Sequence, residues 1–244
     1  MIIGMTGKAG SGKDTVADIL VHHHGFAKVA FADPIKRICK DVFRFSSKQL
    51  WGPSSFRNAP DFRYPRGAKE YQEAYEREKE RNAELAFQYA RQGWLTPRHA
   101  LQQLGTEWGR ACYAGVWAEY ALRVARGLLN ERANYSAQKG LWPCPCIHDD
   151  RDYYHGSSAS GTHPTPKGVV LSDVRFHNEV ALIHASHGII WKTVYEAGSR
   201  LEGDAATHES EQHIGALKVD AVVPSGELEG LPGVVAKMLK EVVQ

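Results

Sequence analysis

With 244 residues, 43% hydrophobic and 24% charged, the chain can bury a substantial core, and it reads as one domain over 1–244 with inserted segments. A formal charge of +2 gives no reason to expect long nucleic acid as a partner, and no apolar run approaches the roughly 18–20 residues of a membrane span. Four cysteines do not suggest a disulfide scaffold, and the short apolar start is no secretory signal, so a cytoplasmic location is expected.

The first predicted strand, Ile2–Thr6, runs directly into Gly7-Lys8-Ala9-Gly10-Ser11-Gly12-Lys13-Asp14-Thr15. Gly7, Gly12 and Lys13 match the G-x-x-x-x-G-K spacing of a phosphate-binding P-loop. Phosphate needs a ring of backbone N–H donors, and glycine lets the chain curl around it without Cβ clashes. The helix that follows, from Lys13 to the histidines at 22–24, aims its N-terminal amides at the same anion before Gly25 stops it. Gly10, Ser11, Gly12, Lys13, Asp14 and Thr15 are therefore the candidate phosphate-binding residues. Asp14 stands where Ser or Thr usually binds magnesium, and Thr15 is the next hydroxyl. The plain alternative is a Gly-rich turn before an ordinary helix.

Val29–Ala32 reads as a second buried strand, closed by Asp33-Pro34, with Ile35, Ile38, Val42 and Phe43 at helical spacing beyond it. Residues 52–65 look irregular. From Gly67 to Gln92 one charged helix is expected, with an i,i+4 pair at Glu73 and Arg77, polar on nearly every face and projecting from the core. The segment 52–96 is read as a helical insertion or lid.

Thr96-Pro97 is a helix start with the hydroxyl at N-cap. That helix should run to a break at Gly105-Thr106-Glu107, and an apolar stripe from Trp117 to Leu128 marks the next. Residues 130–168, rich in Gly, Ser, Pro and His, read as a surface insertion. Within it, Cys144, Cys146, His148, His155 and His163 are a polar loop with reduced thiols by default, structural zinc being the other reading.

Val169–Asp173 is a strand ending in a carboxylate, followed by a helix over 178–187, a strand over 189–194, a strand over 220–223 and a last helix over 228–243. Strands alternating with helices predict an α/β fold: a five-stranded parallel sheet flanked by helices. Ligands of such sheets bind beyond the carboxyl ends of the strands, where the P-loop, Asp33–Lys36 and Asp173–Glu179 all fall. Asp173 suits a magnesium-organising carboxylate, with Thr15 as a second oxygen, partly through water, the other reading being an Asp that caps the next turn. Arg175 offers a fork of donors to phosphate oxygens. Arg98, a cation in the first turn of its helix, opposes the dipole unless an anion is nearby, the other reading being a surface arginine. Glu107 and Glu179 can accept hydrogen bonds from a sugar or base, or lie exposed.

Ser11-Gly12-Lys13-Asp14-Thr15, Ala32-Asp33-Pro34-Ile35-Lys36, Leu104-Gly105-Thr106-Glu107-Trp108-Gly109-Arg110 and Ser172-Asp173-Val174-Arg175-Phe176 with Asn178-Glu179 together resemble bacteriophage deoxynucleoside monophosphate kinases. Thr207-His208-Glu209-Ser210-Glu211 and the ending from Asp220 to Leu228 look like that family too. The resemblance implies an adenylate-kinase-like P-loop fold that phosphorylates deoxynucleoside monophosphates with ATP and magnesium. It implies that Arg98, Gly105, Thr106 and Trp117 line the monophosphate pocket, and that Asp173, Arg175 and Glu179 sit where the two nucleotides meet. Lys13, Asp173 and Arg175 would be the catalytic set. Its partners would be small-molecule nucleotides, with neither membrane nor nucleic acid and with a homodimer left open, in a host cytoplasm if phage-encoded. Two departures stand out: Glu196-Ala197-Gly198 replaces an Arg-Pro-Gly, with Arg200 a candidate for the missing arginine, and the 130–168 insertion has no counterpart. A kinase of dephospho-coenzyme A or phosphomevalonate type is the same-fold alternative, and a nucleotide-dependent regulatory ATPase the alternative of another class.

Overall fold

A strand with a continuous apolar run needs cover on both faces, and β1 (Ile2–Thr6) and β7 (Gly168–Ser172) are buried along their whole length. The computed structural model describes residues 1–8, 10–130, 133–136, 138, 140–143, 165–195, 213–226 and 229–243. These divide into two compact units, one of Met1–Phe31 with Gly115–Gln244, the other of Ala32–Ala114.

The first unit is built on a five-stranded sheet in the order β2-β7-β1-β8-β9, every neighbouring pair parallel. Here β2 is Phe26–Ala30, β8 is Ile189–Val194 and β9 is Ala221–Pro224. On one face α1 (Lys13–His24) and α10 (Leu231–Val243) pack with Ile3, Met5, Val170 and Trp191 around a shared core. The alternate residues serve the other face, which carries α8 (Val116–Leu129) and α9 (His177–Ala185). There Gly4 leaves room for Ile183 and Ile190, since a Cβ would lie within 3 Å of both side chains. The five-stranded parallel sheet flanked by helices is as the sequence predicts.

Boundaries differ where a turn residue decides them. Gly25 closes α1 in the left-handed region (φ 71°), so the second strand begins at once, at Phe26 rather than Val29. The last helix starts at Leu231 instead of 228, with Pro232 in its first turn. Part of the 130–168 insertion forms a hairpin of β5 (Ala133–Ser136) and β6 (Gly140–Pro143). Cys144, Cys146, His148, His155, His163, Glu196–Gly198, Arg200, the 207–211 motif and Leu228 lie outside the described residues.

In the second unit α2 (Asp33–Val42), α3 (Ser47–Trp51) and α7 (Pro97–Gln102) enclose Cys39, Phe45, Leu50 and Ala100. Residues 52–65 are more ordered than their composition suggests, forming α4 (Ser54–Asn58) and β3 (Asp61–Pro65), the latter antiparallel to β4 (Trp94–Leu95). The expected single helix over 67–92 is two, α5 (Lys69–Glu78) and α6 (Ala83–Gly93), packed together. The turn between them is set by Asn82, whose side chain accepts from Leu85 N–H at 3.0 Å and caps α6. Polarity on every face therefore marks a reversal, not a projecting rod. The ion pair on this hairpin is Glu76–Lys79 at 2.6 Å, not Glu73–Arg77. Among the described residues no helix is long and apolar enough to cross a membrane.

Candidate functional site

The loop between β1 and α1 curls through glycines at φ values that other residues resist: 143° at Gly7, 78° at Gly10 and 86° at Gly12. Gly12 is the N-cap of α1 and supplies no side-chain oxygen. The first helical bond is Val16 N–H to Gly12 O at 3.0 Å, so the N–H groups of Lys13, Asp14 and Thr15 stay outside the helix's own ladder. A helix start of this kind is a ready seat for an anion. Lys13 folds back over the loop, donating from Nζ to Gly7 O at 2.8 Å and to Lys8 O at 3.1 Å.

Opposite the loop, at the carboxyl end of β7, Asp173 occupies the left-handed region (φ 72°), a conformation Asp tolerates better than most residues. Its carboxylate lies between two cations, 3.8 Å from Lys13 Nζ and 3.0 Å from Arg175 Nε. Val174 N–H donates to Met5 O at 2.8 Å, which fixes this turn to the adjacent strand β1. Glu179 is buried, 1% exposed, and its Oε2 accepts from the N–H groups of Arg175 at 2.8 Å and Phe176 at 3.1 Å. That carboxylate shapes the backbone on which Arg175 is carried and caps α9. The exposed alternative for Glu179 is ruled out.

Asp14 and Thr15 separate. The Asp14 carboxylate is 82% exposed and 3.0 Å from Lys28 Nζ, which also meets Asp18 at 3.0 Å. Burial pulls the Lys28 pKa down, but the two carboxylates outweigh it and hold it above its ordinary value. The Asp14 carboxylate is thus engaged by Lys28 on β2. Thr15 is half-buried in the first turn of α1. A hydroxyl from Thr15 and a carboxylate from Asp173 are hard oxygen donors of the type magnesium takes, one or two from protein with the rest from water and phosphate. The donor chemistry fits that ion.

The remaining predicted residues fall elsewhere. Trp117 is buried at the start of α8, 7% exposed, in the first unit. Arg98, Gly105 and Thr106 belong to the second. Thr96 caps α7 by accepting from His99 N–H at 3.2 Å, and Arg98 in the first turn donates from Nε to the Asn58 side chain. The expected break at Gly105-Thr106-Glu107 is instead a π-helical stretch, Gln103–Arg110, continuing α7. Wide turns of this kind recur at functional sites. Gly105 is buried there, and a Cβ on it would come within 3.0 Å of Ile35 Cδ1. Glu107 is exposed on the same stretch, while Asp33, at the head of α2, is buried and accepts from Trp51 Nε1 at 3.2 Å.

Two loop partners escape sequence reasoning. Thr193, near the end of β8, meets the Ser11 hydroxyl at 2.7 Å, and Ser225, just after β9, donates to Ser11 O at 2.6 Å. Their separations from Ser11, 182 and 214 residues, leave no local signal.

No protein-family profile matches the chain. A protein of Acanthamoeba polyphaga mimivirus, provisionally named a deoxynucleotide monophosphate kinase, is 28% identical over 220 residues, covering 89% of this chain and 84% of that protein. The likeness supports a nucleotide-kinase role on a P-loop α/β fold. It reaches a mimivirus protein and lends nothing to a bacteriophage origin.

Proposed function

We propose that the chain is an ATP-dependent, magnesium-assisted kinase that converts deoxynucleoside monophosphates to diphosphates. The observation that carries this reading is the Gly7–Thr15 loop with Lys13 and Asp173 at 3.8 Å across two adjacent strand ends, and Arg175 paired to the same carboxylate. A phosphate seat with cations beside a carboxylate is what phosphoryl transfer requires, since the protein's task is alignment and charge stabilisation.

In this reading the amides of Gly12 to Thr15 hold the ATP phosphates within a loop shaped by Gly10 and Ser11, whose N–H is kept by Lys8 O, and Lys13 leaves the loop carbonyls to meet the β/γ-oxygens. Arg98, Gly105, Thr106 and Trp117 receive the monophosphate. Its anionic oxygen forms a bond to the γ-phosphorus as the bond to the β,γ-bridging oxygen breaks, and ADP departs with that electron pair. The acceptor is already ionised near neutral pH, so no general base is needed. Magnesium, when bound by Asp173 and Thr15 partly through water, spreads the charge building on the phosphate oxygens. Arg175 supplies a further positive fork, on a backbone that Glu179 holds in place. The protein acts alone on small nucleotides in the cytoplasm or as a homodimer, with no membrane or nucleic acid partner.

A coupled assay of ADP release tests this across the deoxynucleoside and ribonucleoside monophosphates, dephospho-coenzyme A and phosphomevalonate. Turnover is expected with one or more deoxynucleoside monophosphates. Turnover confined to another acceptor would replace the substrate, and slow hydrolysis indifferent to every acceptor would replace the kinase with a regulatory ATPase.

A further inference from the structure

We infer that Thr193 and Ser225 are positioning residues that set the phosphate loop's shape through Ser11, an inference resting on the loop binding a nucleotide as proposed above. Ser11 spends all three of its polar groups inside the protein. Its N–H donates to Lys8 O at 3.1 Å, its carbonyl accepts from Ser225 Oγ at 2.6 Å, and its hydroxyl meets Thr193 Oγ1 at 2.7 Å.

The direction of the last bond follows from the rest. A threonine hydroxyl has one proton, and Thr193 Oγ1 donates its own to Thr6 O at 3.3 Å. Ser11 is then the donor and Thr193 the acceptor. Ser225 Oγ also lies 3.1 Å from Val194 O, but the shorter contact is to Ser11. Ser11, Thr193 and Ser225 are 5%, 1% and 8% exposed, so water does not compete freely for these bonds.

The same residues crowd two glycines. A Cβ at Gly7 would lie 2.5 Å from Thr193 Oγ1 and 2.6 Å from Ser11 Oγ, and one at Gly12 would lie 3.1 Å from Ser225 Cβ. Loop and strand ends are thus packed to contact, and the hydroxyls fix which way the loop amides face. Ser11 becomes the keystone of the seat, with its own N–H turned to Lys8 and the amides of residues 12–15 left for the anion.

Thr193→Val keeps the shape of the side chain and removes the acceptor, whereas Thr193→Ser keeps the hydroxyl. Calorimetry with ATP and with inorganic tripolyphosphate reads the loop directly, and melting without ligand reads the fold. Wild type should bind both; failure there would overturn the nucleotide reading itself and this inference with it. Thr193→Val should weaken binding of both about tenfold, the scale of one buried hydrogen bond lost, with Thr193→Ser within about twofold of wild type. Equal binding by Thr193→Val and wild type overturns the inference while leaving the kinase reading standing. A loss as large in Thr193→Ser also overturns it, because the hydroxyl would then not be the operative group. Should Thr193→Val fail to fold, Ser225→Ala decides: several-fold weaker tripolyphosphate binding supports the assignment, and unchanged binding rejects it.

Discussion

Lys13 Nζ stands 3.8 Å from Asp173 Oδ1, one residue opening the helix after β1 and the other directly following the adjacent strand β7. Parallel neighbours bring their carboxyl ends together, so two residues 160 positions apart in sequence meet at one strand-end site. The lysine is otherwise held by the carbonyls of Gly7 and Lys8, neutral acceptors that an incoming phosphate can outcompete.

Lys13→Ala should therefore remove transfer and leave the fold. Loss of one charge-stabilising donor lowers kcat by about 10²–10³ in comparable sites. ADP release measured beside a thermal melt checks both halves. A rate within about threefold of wild type would take the lysine out of the mechanism.

Asp173→Asn keeps the size of the side chain but leaves Lys13 and Arg175 without their shared counter-charge. We expect a lower kcat and a higher magnesium concentration at half-maximal rate, because a neutral amide is a weaker ligand for a hard cation. An unchanged magnesium titration would confine Asp173 to pairing with its two cations.

Asp14→Ala tests a position where the sequence departs from the usual P-loop hydroxyl and the structure sets the carboxylate against Lys28. The carboxylate points to Lys28 on β2, so its loss should cost only the ~0–1 kcal/mol of an exposed ion pair, and ATP affinity should stay within about threefold. Calorimetry and a melt together read this. A tenfold fall in affinity would bring the carboxylate itself into the phosphate site.

What could be read from the chain follows from how local its cause is. β1, β7 and β8 announce themselves because strands covered on both faces carry a continuous apolar run, and the Gly7–Lys13 spacing is a local requirement of a phosphate seat. The reversal at Lys79–Asn82 was also written in the chain: Asn82 precedes a helical run, a capping signal hidden within a charged stretch. Gly105 within a periodic segment looks like a break, because periodicity does not distinguish a broken helix from one widened to a π turn. The turn of Asp14 toward Lys28, and the hold of Thr193 and Ser225 on Ser11, depend on which strands become neighbours, information that no window of sequence contains.

Asp220 joins the far end of the sheet through charge, and its contribution should appear in the acid limb of stability. Its Oδ2 accepts from Ile190 N–H at 2.6 Å and meets His184 Nε2 at 2.8 Å. Burial works against the ionised form, but the Ile190 amide and the His184 ring prevail and hold the carboxyl below its ordinary range. A carboxyl depressed on folding adds stability that is fully present above its unfolded pKa and is lost as pH falls through its folded one. Asp220→Asn should therefore melt below wild type at pH 7, by roughly 0.5–1 kcal/mol after allowance for solvent screening at a carboxylate about a third exposed. The gap should shrink as pH falls below about 4, where the carboxylate of the unfolded chain takes up its proton while the folded one still resists it. Melting both proteins from pH 7 to pH 2.5 checks the sign, and a gap that stays constant or widens with acid would mean that the charge of Asp220 is not what ties β8 to the turn before β9.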